Sequence, residues 1–448
     1  MPARVSSGLV EPQLFAATAE AMSGRVASLR ARHLRLPPFF RQRLATPAEA
    51  PHPLNGAALA RLHVRALAST LSRPLVGGNR VDVLVDAPST YEAMFEAIAA
   101  ARDHINLESY ILEAEGPGES LAELLLQKRA QGLCVSVIFD SFGSLRTSGE
   151  YFRRLQAAGV ALCEYNPVSL WRRPLQRALH LRDHRKLLIV DGRIAFVGGI
   201  NFSSVYAFGS AGTRITGERP PWRDIHVRIA GPLVTHLQEV FLEHWKCQTG
   251  RTPGMARYFP ALPSSGDAQL GVAACDAGRR RNPFYTALLA AIGNARRSVF
   301  ITTAYFVPPR RLVRALERAA RRGVDVRLLL PGISDSWPAL AAGRSLYGRL
   351  LHAGVHIHEC HDAILHAKSA VVDGVWVTVG SSNMDWRSFL HNAEVNVIGV
   401  DPRLAGELTQ LHADQLARSR PISLEQWSTR TWTHRFKEWV ARKVEFFL

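Results

Sequence analysis

The feature that most constrains this chain is a short motif that occurs twice. Each copy reads H-x-K, followed by four residues and an Asp. Six further residues separate this Asp from a pair of small residues, and an Asn follows that pair after one intervening residue. The copies span residues 184–201 and 366–383. They place the same residue types at the same positions: His184, Lys186, Asp191 and Asn201 in the first, and His366, Lys368, Asp373 and Asn383 in the second. Two matched copies indicate an internal duplication that carries a shared function.

The spacing of the motif gives it a chemical meaning. In a β-strand alternate side chains point to the same face, so the His and the Lys of each copy project together. The two copies together would supply two imidazoles, two ammonium groups and two amides around one anion. Such a set suits phosphoryl transfer, in which positioning and charge stabilisation dominate. Two histidines are needed because a single one cannot attack a phosphorus and protonate the leaving group from opposite sides.

The doubled motif resembles the signature of the phospholipase D superfamily, over roughly residues 80–448. The resemblance implies a covalent phosphohistidine intermediate and no need for a metal or another cofactor. A lysine beside each histidine would also repel a metal cation. By analogy His184 would be the nucleophile and His366 the general acid and base, although the pseudo-symmetry leaves the reverse assignment open. The other motif residues would act as follows: Lys186, Lys368, Asn201 and Asn383 hold the non-bridging oxygens, and Asp191 and Asp373 brace the strand and turn.

A nucleophilic histidine needs a partner on its second ring nitrogen, which fixes the tautomer. Asp224 and Glu394 both lie in strand-like runs that follow the motifs, where the family places a carboxylate of this kind. We expect Asp224 to orient His184 and Glu394 to orient His366.

The duplication extends beyond the motif. Helical patterns at residues 91–98 and 285–292 match at an offset of 194 residues (285 − 91), and strand-like runs follow both. The sequence therefore predicts an α/β fold of two pseudo-twofold-related, phospholipase D-like α/β/α halves. Each half would hold a mainly parallel mixed sheet, and the active site would lie at their interface.

Composition and turn signals divide the chain into five parts. Residues 1–78 are expected to form a basic, flexible N-terminal arm, 79–249 the first half, 250–282 a linker, 283–420 the second half and 421–448 a C-terminal amphipathic helix. The motifs are only 182 residues apart (366 − 184), so the first half has about a dozen extra residues before its motif. This segment contains a basic run with an aromatic at 171–177, which is either a solvated loop or a lip over the site.

The charge balance narrows the class of partner. Lys and Arg number 55 against 38 Asp and Glu, a net charge of +17. A basic surface suits anionic lipid or nucleic acid, although an arginine-favouring genome explains it equally well. The five cysteines are odd in number and scattered, which favours reduced thiols in a cytosolic compartment. No apolar run approaches the ~18–20 residues of a transmembrane helix.

The C-terminal segment adds a possible membrane contact. Its apolar residues recur at helical spacing on one face: Trp432, Phe436, Trp439, Val440, Val444 and Phe447. Basic residues flank that face, as in an interfacial helix that binds anionic lipid. A terminal helix docked on its own domain explains the same pattern equally well.

Within the superfamily, residues 222–232, 388–396 and the tail resemble bacterial cardiolipin synthases of the type without N-terminal transmembrane helices. That resemblance implies transfer of a phosphatidyl group between phospholipids, usually phosphatidylglycerol. The expected partners are phospholipid substrates and an anionic membrane surface, with no nucleic acid. We expect a peripheral monomer on the cytoplasmic face of the bacterial inner membrane. The alternatives are a phospholipase D-type hydrolase, a nuclease, and a non-enzymatic scaffold, which two intact motifs disfavour.

Overall fold

The computed structural model describes residues 55–168, 180–206, 209, 220–254, 256–279, 281–443 and 445–447. The first half contains these elements: α1 (Gly56–Ala68), β1 (Val76–Val85), α2 (Asp86–Ala100), β2 (His104–Ser109), α3 (Pro117–Ala130), β3 (Cys134–Asp140), α4 (Gly149–Ala157), β4 (Ala161–Tyr165), β5 (Lys186–Val190), β6 (Ile194–Gly198), β7 (Trp222–Arg223), β8 (Ile225–Ala230) and α5 (Leu233–Thr249). The expected lip at 171–177 and most of the expected arm lie outside the described residues.

The second half repeats this order. Its elements are β9 (Ala268–Cys275), α6 (Pro283–Asn294), β10 (Ser298–Thr302), β11 (Phe306–Val307), α7 (Arg310–Arg321), β12 (Asp325–Pro331), α8 (Trp337–Arg344), α9 (Tyr347–His352), β13 (His356–Cys360), β14 (Ile364–Leu365), β15 (Ser369–Val372), β16 (Trp376–Gly380), β17 (Met384–Asp385), β18 (Glu394–Val400), α10 (Pro402–Ala417), β19 (Arg420–Ile422), α11 (Leu424–Ser428) and α12 (Trp432–Lys443). A short π-helix (Arg387–His391) separates β17 from β18.

One fifteen-stranded sheet runs through both halves. Its order is β19-β13-β12-β10-β15-β16-β18-β9-β1-β8-β6-β5-β2-β3-β4. Apart from β19, the order reads the same from both ends when each strand is matched with its counterpart in the other half, which gives the pseudo-twofold relation. The sheet is mixed. Four of its outer pairs (β2 with β3, β3 with β4, β10 with β12, and β12 with β13) are parallel, whereas the central pairs and the edge pair of β13 with β19 are antiparallel.

Both faces of the sheet are covered, which explains why the motif strands are apolar throughout. In β5, Leu187 and Ile189 join the core beneath α5 and α10, whereas Leu188 and Val190 join the core beneath α2 and α3. Since side chains alternate along a strand, these two cores lie on opposite faces. A strand buried on both faces is rigid, and it fixes the position of the histidine that precedes it.

Two expected segment boundaries differ from the structure. Residues 56–68, assigned to the flexible arm, form helix α1, which begins at the capping residue Asn55 and buries Leu59 and Leu67 in the core of the second half. Those residues recur at helical spacing, but the surrounding Ala and Arg concealed the pattern. The expected linker contains β9, which pairs with β1 on one side and β18 on the other and so joins the halves.

The C-terminal segment 421–448 is not the single helix expected from the sequence: it contains the end of β19 and the separate helices α11 and α12, and it folds back on the second half. Helix α12 packs on α8 and buries Glu438 and Ala441, while its other side is exposed. Val444 and the side chain of Phe447, which the sequence places on the same apolar face, lie outside the described residues. Among the helices of the described ranges, none combines the length and the apolar character needed to cross a bilayer.

Candidate active site

The two motif histidines line one cavity of about 300 Å³. His184 lies just before β5 and His366 just before β15. The backbone around each histidine pairs with the opposite half: the His184 N–H donates to the Ala393 carbonyl at 2.9 Å, and the His366 N–H donates to the Arg223 carbonyl at 2.7 Å. The duplicated motifs are therefore brought together at the interface between the halves.

Each histidine is bound to a carboxylate of the other half. Nδ1 of His184 lies 3.1 Å from Oε1 of Glu394, and Nδ1 of His366 lies 2.6 Å from Oδ2 of Asp224. The expected pairing of Asp224 with His184 and of Glu394 with His366 is therefore wrong. The physical reason is the crossed backbone pairing, since Ala393 and Arg223 immediately precede the two carboxylates and bring each one under the opposite histidine.

Burial and the neighbouring lysines set the protonation state of the histidines. Burial, reinforced by the Lys186 charge, holds the pKa of His184 well below its usual value. Burial and Lys368 also lower the pKa of His366. Both rings are therefore neutral near pH 7. With Nδ1 donating to a carboxylate, Nε2 is the nitrogen that retains a lone pair, as a nucleophile or base requires.

The two carboxylates differ in charge state. Burial raises the pKa of Glu394 to about 7, even though Lys186 acts in the opposite direction. Burial would also raise the pKa of Asp224, but the charge of Lys368 and the interaction with His366, which includes a hydrogen bond, outweigh it and the pKa lies below its usual value. The pair formed by His366 and Asp224 is thus the more strongly polarised of the two.

The motif lysines lie beneath the histidines. Nζ of Lys186 donates to the His184 carbonyl at 2.7 Å, and Nζ of Lys368 donates to the His366 carbonyl. Burial lowers the pKa of Lys186 to about 7 and that of Lys368 to about 8. An anion bound in the cavity would favour their charged forms, so these lysines couple protonation to binding of a phosphate.

The two motif asparagines also line the cavity. The Asn201 side chain accepts from the Ile111 N–H at 3.2 Å and donates to the Tyr206 hydroxyl at 3.2 Å. Oδ1 of Asn383 is buried and has no hydrogen-bond partner in the described part of the chain. The second motif thus leaves an amide oxygen at the site that can accept a further hydrogen bond.

The motif aspartates lie in turns outside the cavity lining. Both have left-handed backbone, with φ of 54° at Asp191 and 57° at Asp373, a conformation that aspartate tolerates better than most residues. The Asp191 carboxylate accepts from the backbone N–H groups of residues 102–104. Asp373 accepts from those of residues 296–298 and lies 3.0 Å from Nε2 of His63 on α1. Each carboxylate anchors the end of its motif strand to the neighbouring helix–strand turn.

Several residues that line the cavity were not predicted from the sequence: Tyr110, Phe142, Arg182, Tyr206, Tyr305, Asp335, Asp385 and Arg387. The Tyr206 hydroxyl lies 3.3 Å from Nδ1 of His366. Most of these residues come from segments far apart in the chain, so their spacing in the sequence could not predict that they meet. Asp385 and Arg387 follow Asn383 closely, and their position after the motif was the available clue.

A buried cluster behind the cavity has side chains that could ligate a metal: Glu108, Asp183 and His244. Nδ1 of His244 lies 2.6 Å from Oε1 of Glu108. Nη1 of Arg185 lies 3.4 Å from the same carboxylate oxygen and Nη2 lies 2.9 Å from Asp276, so a protein cation already neutralises the cluster. The cluster adjoins His184 through the backbone and supports the strand from behind.

Comparison with known proteins identifies the relatives of this site. The sequence matches the family described as "Cardiolipin synthase, PLD-like domain" over residues 94–207 and 288–415, one segment in each half. It is 33% identical to a cardiolipin synthase of Geobacillus thermodenitrificans over 377 residues, 82% of this chain and 72% of the relative. It is 34% identical to cardiolipin synthase 2 of Bacillus anthracis over 368 residues, 80% of this chain and 69% of that protein.

A solved structure shows the same fold. The phosphatidylserine synthase of Haemophilus influenzae Rd KW20 is similar with a TM-score of 0.62, over 86% of this chain and 100% of that chain, at 14% identity. The comparisons confirm the superfamily resemblance, the α/β fold with two repeated halves, and the enzyme class expected from the motifs. The chain belongs to the family of cardiolipin synthases with phospholipase D-like domains.

Proposed function

We propose that the protein is a cardiolipin synthase that transfers the phosphatidyl group of one phospholipid to a free hydroxyl of another, with phosphatidylglycerol as donor and acceptor. The observation that carries this proposal is the crossed pair of histidines in one cavity, each held by a carboxylate of the other half. Two neutral imidazoles that face the same space can attack a phosphorus and assist the leaving group from opposite sides.

In the first step Nε2 of one histidine attacks the phosphorus of the donor lipid. A P–N bond forms, the P–O bond to the head-group glycerol breaks, and the second histidine gives its proton to the departing oxygen. The bound phosphodiester favours the protonated form of that histidine. We assign the attack to His184 and the proton transfer to His366, and the pseudo-twofold symmetry leaves the reverse order open. Lys186, Lys368, Asn201 and Asn383 hold the non-bridging oxygens.

In the second step the hydroxyl of the acceptor lipid attacks the phosphohistidine. A P–O bond forms, the P–N bond breaks, and the acceptor proton passes to the second histidine, which returns it to its starting state. The products are cardiolipin and the glycerol released earlier. Water in place of the lipid hydroxyl would give phosphatidic acid, the outcome of the hydrolase alternative.

We further propose that the enzyme binds an anionic membrane surface through helix α12. Trp432, Phe436 and Trp439 on this helix have 75%, 55% and 57% of their surface exposed. Nζ of Lys443 lies 5.1 Å from the centre of the Trp439 ring, so a cation accompanies the aromatic face. Aromatic side chains at head-group depth with adjacent cations are typical of interfacial helices. The cytoplasmic side of the membrane and the monomeric state stay predictions from sequence.

The test is incubation of the purified protein with phosphatidylglycerol vesicles, followed by mass spectrometry of the lipids. Cardiolipin and glycerol should appear with the wild type and be absent with His184→Ala and with His366→Ala. Phosphatidic acid without cardiolipin would make the protein a hydrolase. The absence of any lipid turnover would contradict the proposal, and other phosphodiesters would then have to be tested as substrates.

A further inference from the structure

One arginine in the lining of the active-site cavity lies outside the two motifs and has no role in the mechanism proposed above. Arg387 begins the π-helix that follows the second motif, is half-buried, and lines the cavity together with both catalytic histidines. π-Helical turns are rare and are frequently found at functional sites. Its position places a guanidinium in the lining of the cavity that contains both histidines.

The other arginine of the cavity lining and the two motif lysines next to the histidines already have protein partners. Arg182 is paired with Asp140 and with the Asn166 carbonyl, and each motif lysine donates to the carbonyl of its own histidine. The Arg387 guanidinium, in contrast, makes no hydrogen bond or ion pair with any residue in the described ranges.

The carboxylate nearest to Arg387 in sequence is a weak counter-ion. Asp385 accepts from the Ser388 N–H at 2.7 Å, and burial raises its pKa to about 7, so it carries only part of a charge at neutral pH. Two other arginines at buried or half-buried positions, Arg223 and Arg344, are held by the carboxylates of Asp362 and Glu359 at close distance. A guanidinium left open beside a site for an anion is available for a second anion.

The proposed reaction brings such an anion. When the acceptor is phosphatidylglycerol, the second step holds two phosphates at once: the one on the histidine and the one in the acceptor, a single glycerol unit from the attacking hydroxyl. Two anions at that separation repel each other unless a cation lies between or beside them. In the proposed mechanism the motif groups hold the first phosphate, and none of them is assigned to the second.

We propose that Arg387 binds the phosphate of the acceptor phospholipid and thereby selects a phospholipid hydroxyl over an uncharged alcohol or water. This inference rests on the proposed function. A guanidinium suits the task because its planar fork donates two parallel hydrogen bonds to phosphate oxygens. In the step it serves, the acceptor oxygen bonds to phosphorus, the P–N bond to the phosphatidyl-bearing histidine breaks, and the hydroxyl proton moves to the other histidine. Arg387 itself exchanges no proton.

The test is a competition between two acceptors in the same vesicle. Phosphatidylglycerol and monoacylglycerol both present a free glycerol diol at the membrane surface, but only the first carries a phosphate. Both products, cardiolipin and the phosphatidyl ester of monoacylglycerol, form from the same phosphatidyl-enzyme. Their ratio, measured by mass spectrometry, therefore reports the acceptor step alone and is independent of the rate of donor cleavage.

We expect the wild type to favour cardiolipin and Arg387→Gln to lower the product ratio about tenfold or more, the loss expected for a charge-assisted hydrogen bond. Arg387→Lys, which keeps the charge without the fork, should give an intermediate ratio. Arg314→Gln, at an exposed position on α7, is the matched control and should leave the ratio unchanged.

An unchanged ratio in Arg387→Gln, even with lower total turnover, would overturn the inference while leaving the proposed function intact. So would a wild type that uses the two acceptors equally, a result that requires no variant. If Arg387→Gln does not fold, the ratio given by Arg387→Lys decides, and a wild-type value there also overturns it. The absence of both products from the wild type would mean that the proposed function itself fails.

Discussion

Nδ1 of His366 lies 2.6 Å from Oδ2 of Asp224, and the two residues belong to opposite halves of the duplicated chain. The matching contact of His184 with Glu394 crosses the interface in the other direction. Neither half can therefore orient its own histidine. The duplication has produced a site that exists only when both halves are assembled, which explains why the two motifs are carried on one continuous sheet.

Asp224→Asn should remove the acceptor that fixes the tautomer of His366. Because an amide can also donate to Nδ1, it stabilises the wrong tautomer, and we expect turnover to fall on the order of 10³-fold. The measurement is cardiolipin formation by mass spectrometry, combined with ¹⁵N NMR of the histidine rings. The crossed pairing predicts that the signals of His366 change much more than those of His184.

The control for this substitution is Asp267→Asn, at an exposed position. It should leave turnover at the wild-type level. A larger NMR change at His184 than at His366 would contradict the crossed pairing, whatever the effect on turnover.

The pH dependence of kcat/KM should show a narrow maximum near neutral pH. The pKa values of about 7 for Lys186 and about 8 for Lys368 mean that these ammonium groups lose their protons, and their attraction for phosphate, as the pH rises through that range. The pKa of about 7 for Glu394 means that falling pH protonates the acceptor of His184 Nδ1. Activity should therefore fall on both sides, and a flat profile from about pH 6 to pH 9 would contradict this account.

Asp373→Asn should destabilise the fold. The carboxylate accepts from three backbone N–H groups and contacts His63, and we expect a loss of about 2–4 kcal/mol in the free energy of unfolding near neutral pH. Burial raises the pKa of Asp373, but its hydrogen bonds outweigh burial and the pKa lies below its usual value. A lowered pKa stabilises the fold above the ordinary aspartate pKa of about 3.9, and this contribution is lost as the pH falls through the folded-state value.

Denaturant unfolding at several pH values checks this prediction. The difference between wild type and Asp373→Asn should be present near neutral pH and shrink in acid. A difference that is independent of pH would show that the charge of Asp373 contributes nothing.

Replacement of the α12 aromatics should weaken membrane binding without a change in the fold. Phe436→Ser removes a side chain that is 55% exposed, and burial of such a ring in the membrane interface is worth about 1.5–3 kcal/mol. Sedimentation with anionic vesicles should therefore show binding about tenfold weaker or more.

Phe259→Ser is the matched control for the membrane surface, because Phe259 is 54% exposed and belongs to the connection between α5 and β9, not to α12. It should leave sedimentation unchanged. An equal loss of vesicle binding in the two variants would show that the effect comes from general surface hydrophobicity. Unchanged binding by Phe436→Ser would contradict the proposal that α12 contacts the membrane.

The sequence was sufficient for those features that depend on spacing along the chain. The motif histidines and lysines, the duplication and the α/β character all follow from periodic patterns, and the structure brings His184, His366, Asn201 and Asn383 into the lining of one cavity. The pairing of Asp224 and Glu394 did not follow, because it depends on which strands meet across the interface, a contact between residues about 140 and 210 positions apart.

Two further features were hidden for a different reason. Helix α1 and strand β9 lie in segments whose Ala, Arg, Pro and Gly content suggested an arm and a linker, and only their packing against the rest of the molecule stabilises them. Arg387 could be located from the sequence but not interpreted, because its lack of a partner is a property of the folded cavity.

The central claim is that the two histidines act together on a covalent phosphatidyl-enzyme. The most direct test is to mix the protein with phosphatidylglycerol that carries labelled acyl chains, quench with denaturant within one turnover, and map the labelled peptide. The account predicts label on the peptide of His184 or of His366, and a variant lacking that histidine should yield neither label nor cardiolipin. Cardiolipin formed at the wild-type rate by both single-histidine variants would contradict it.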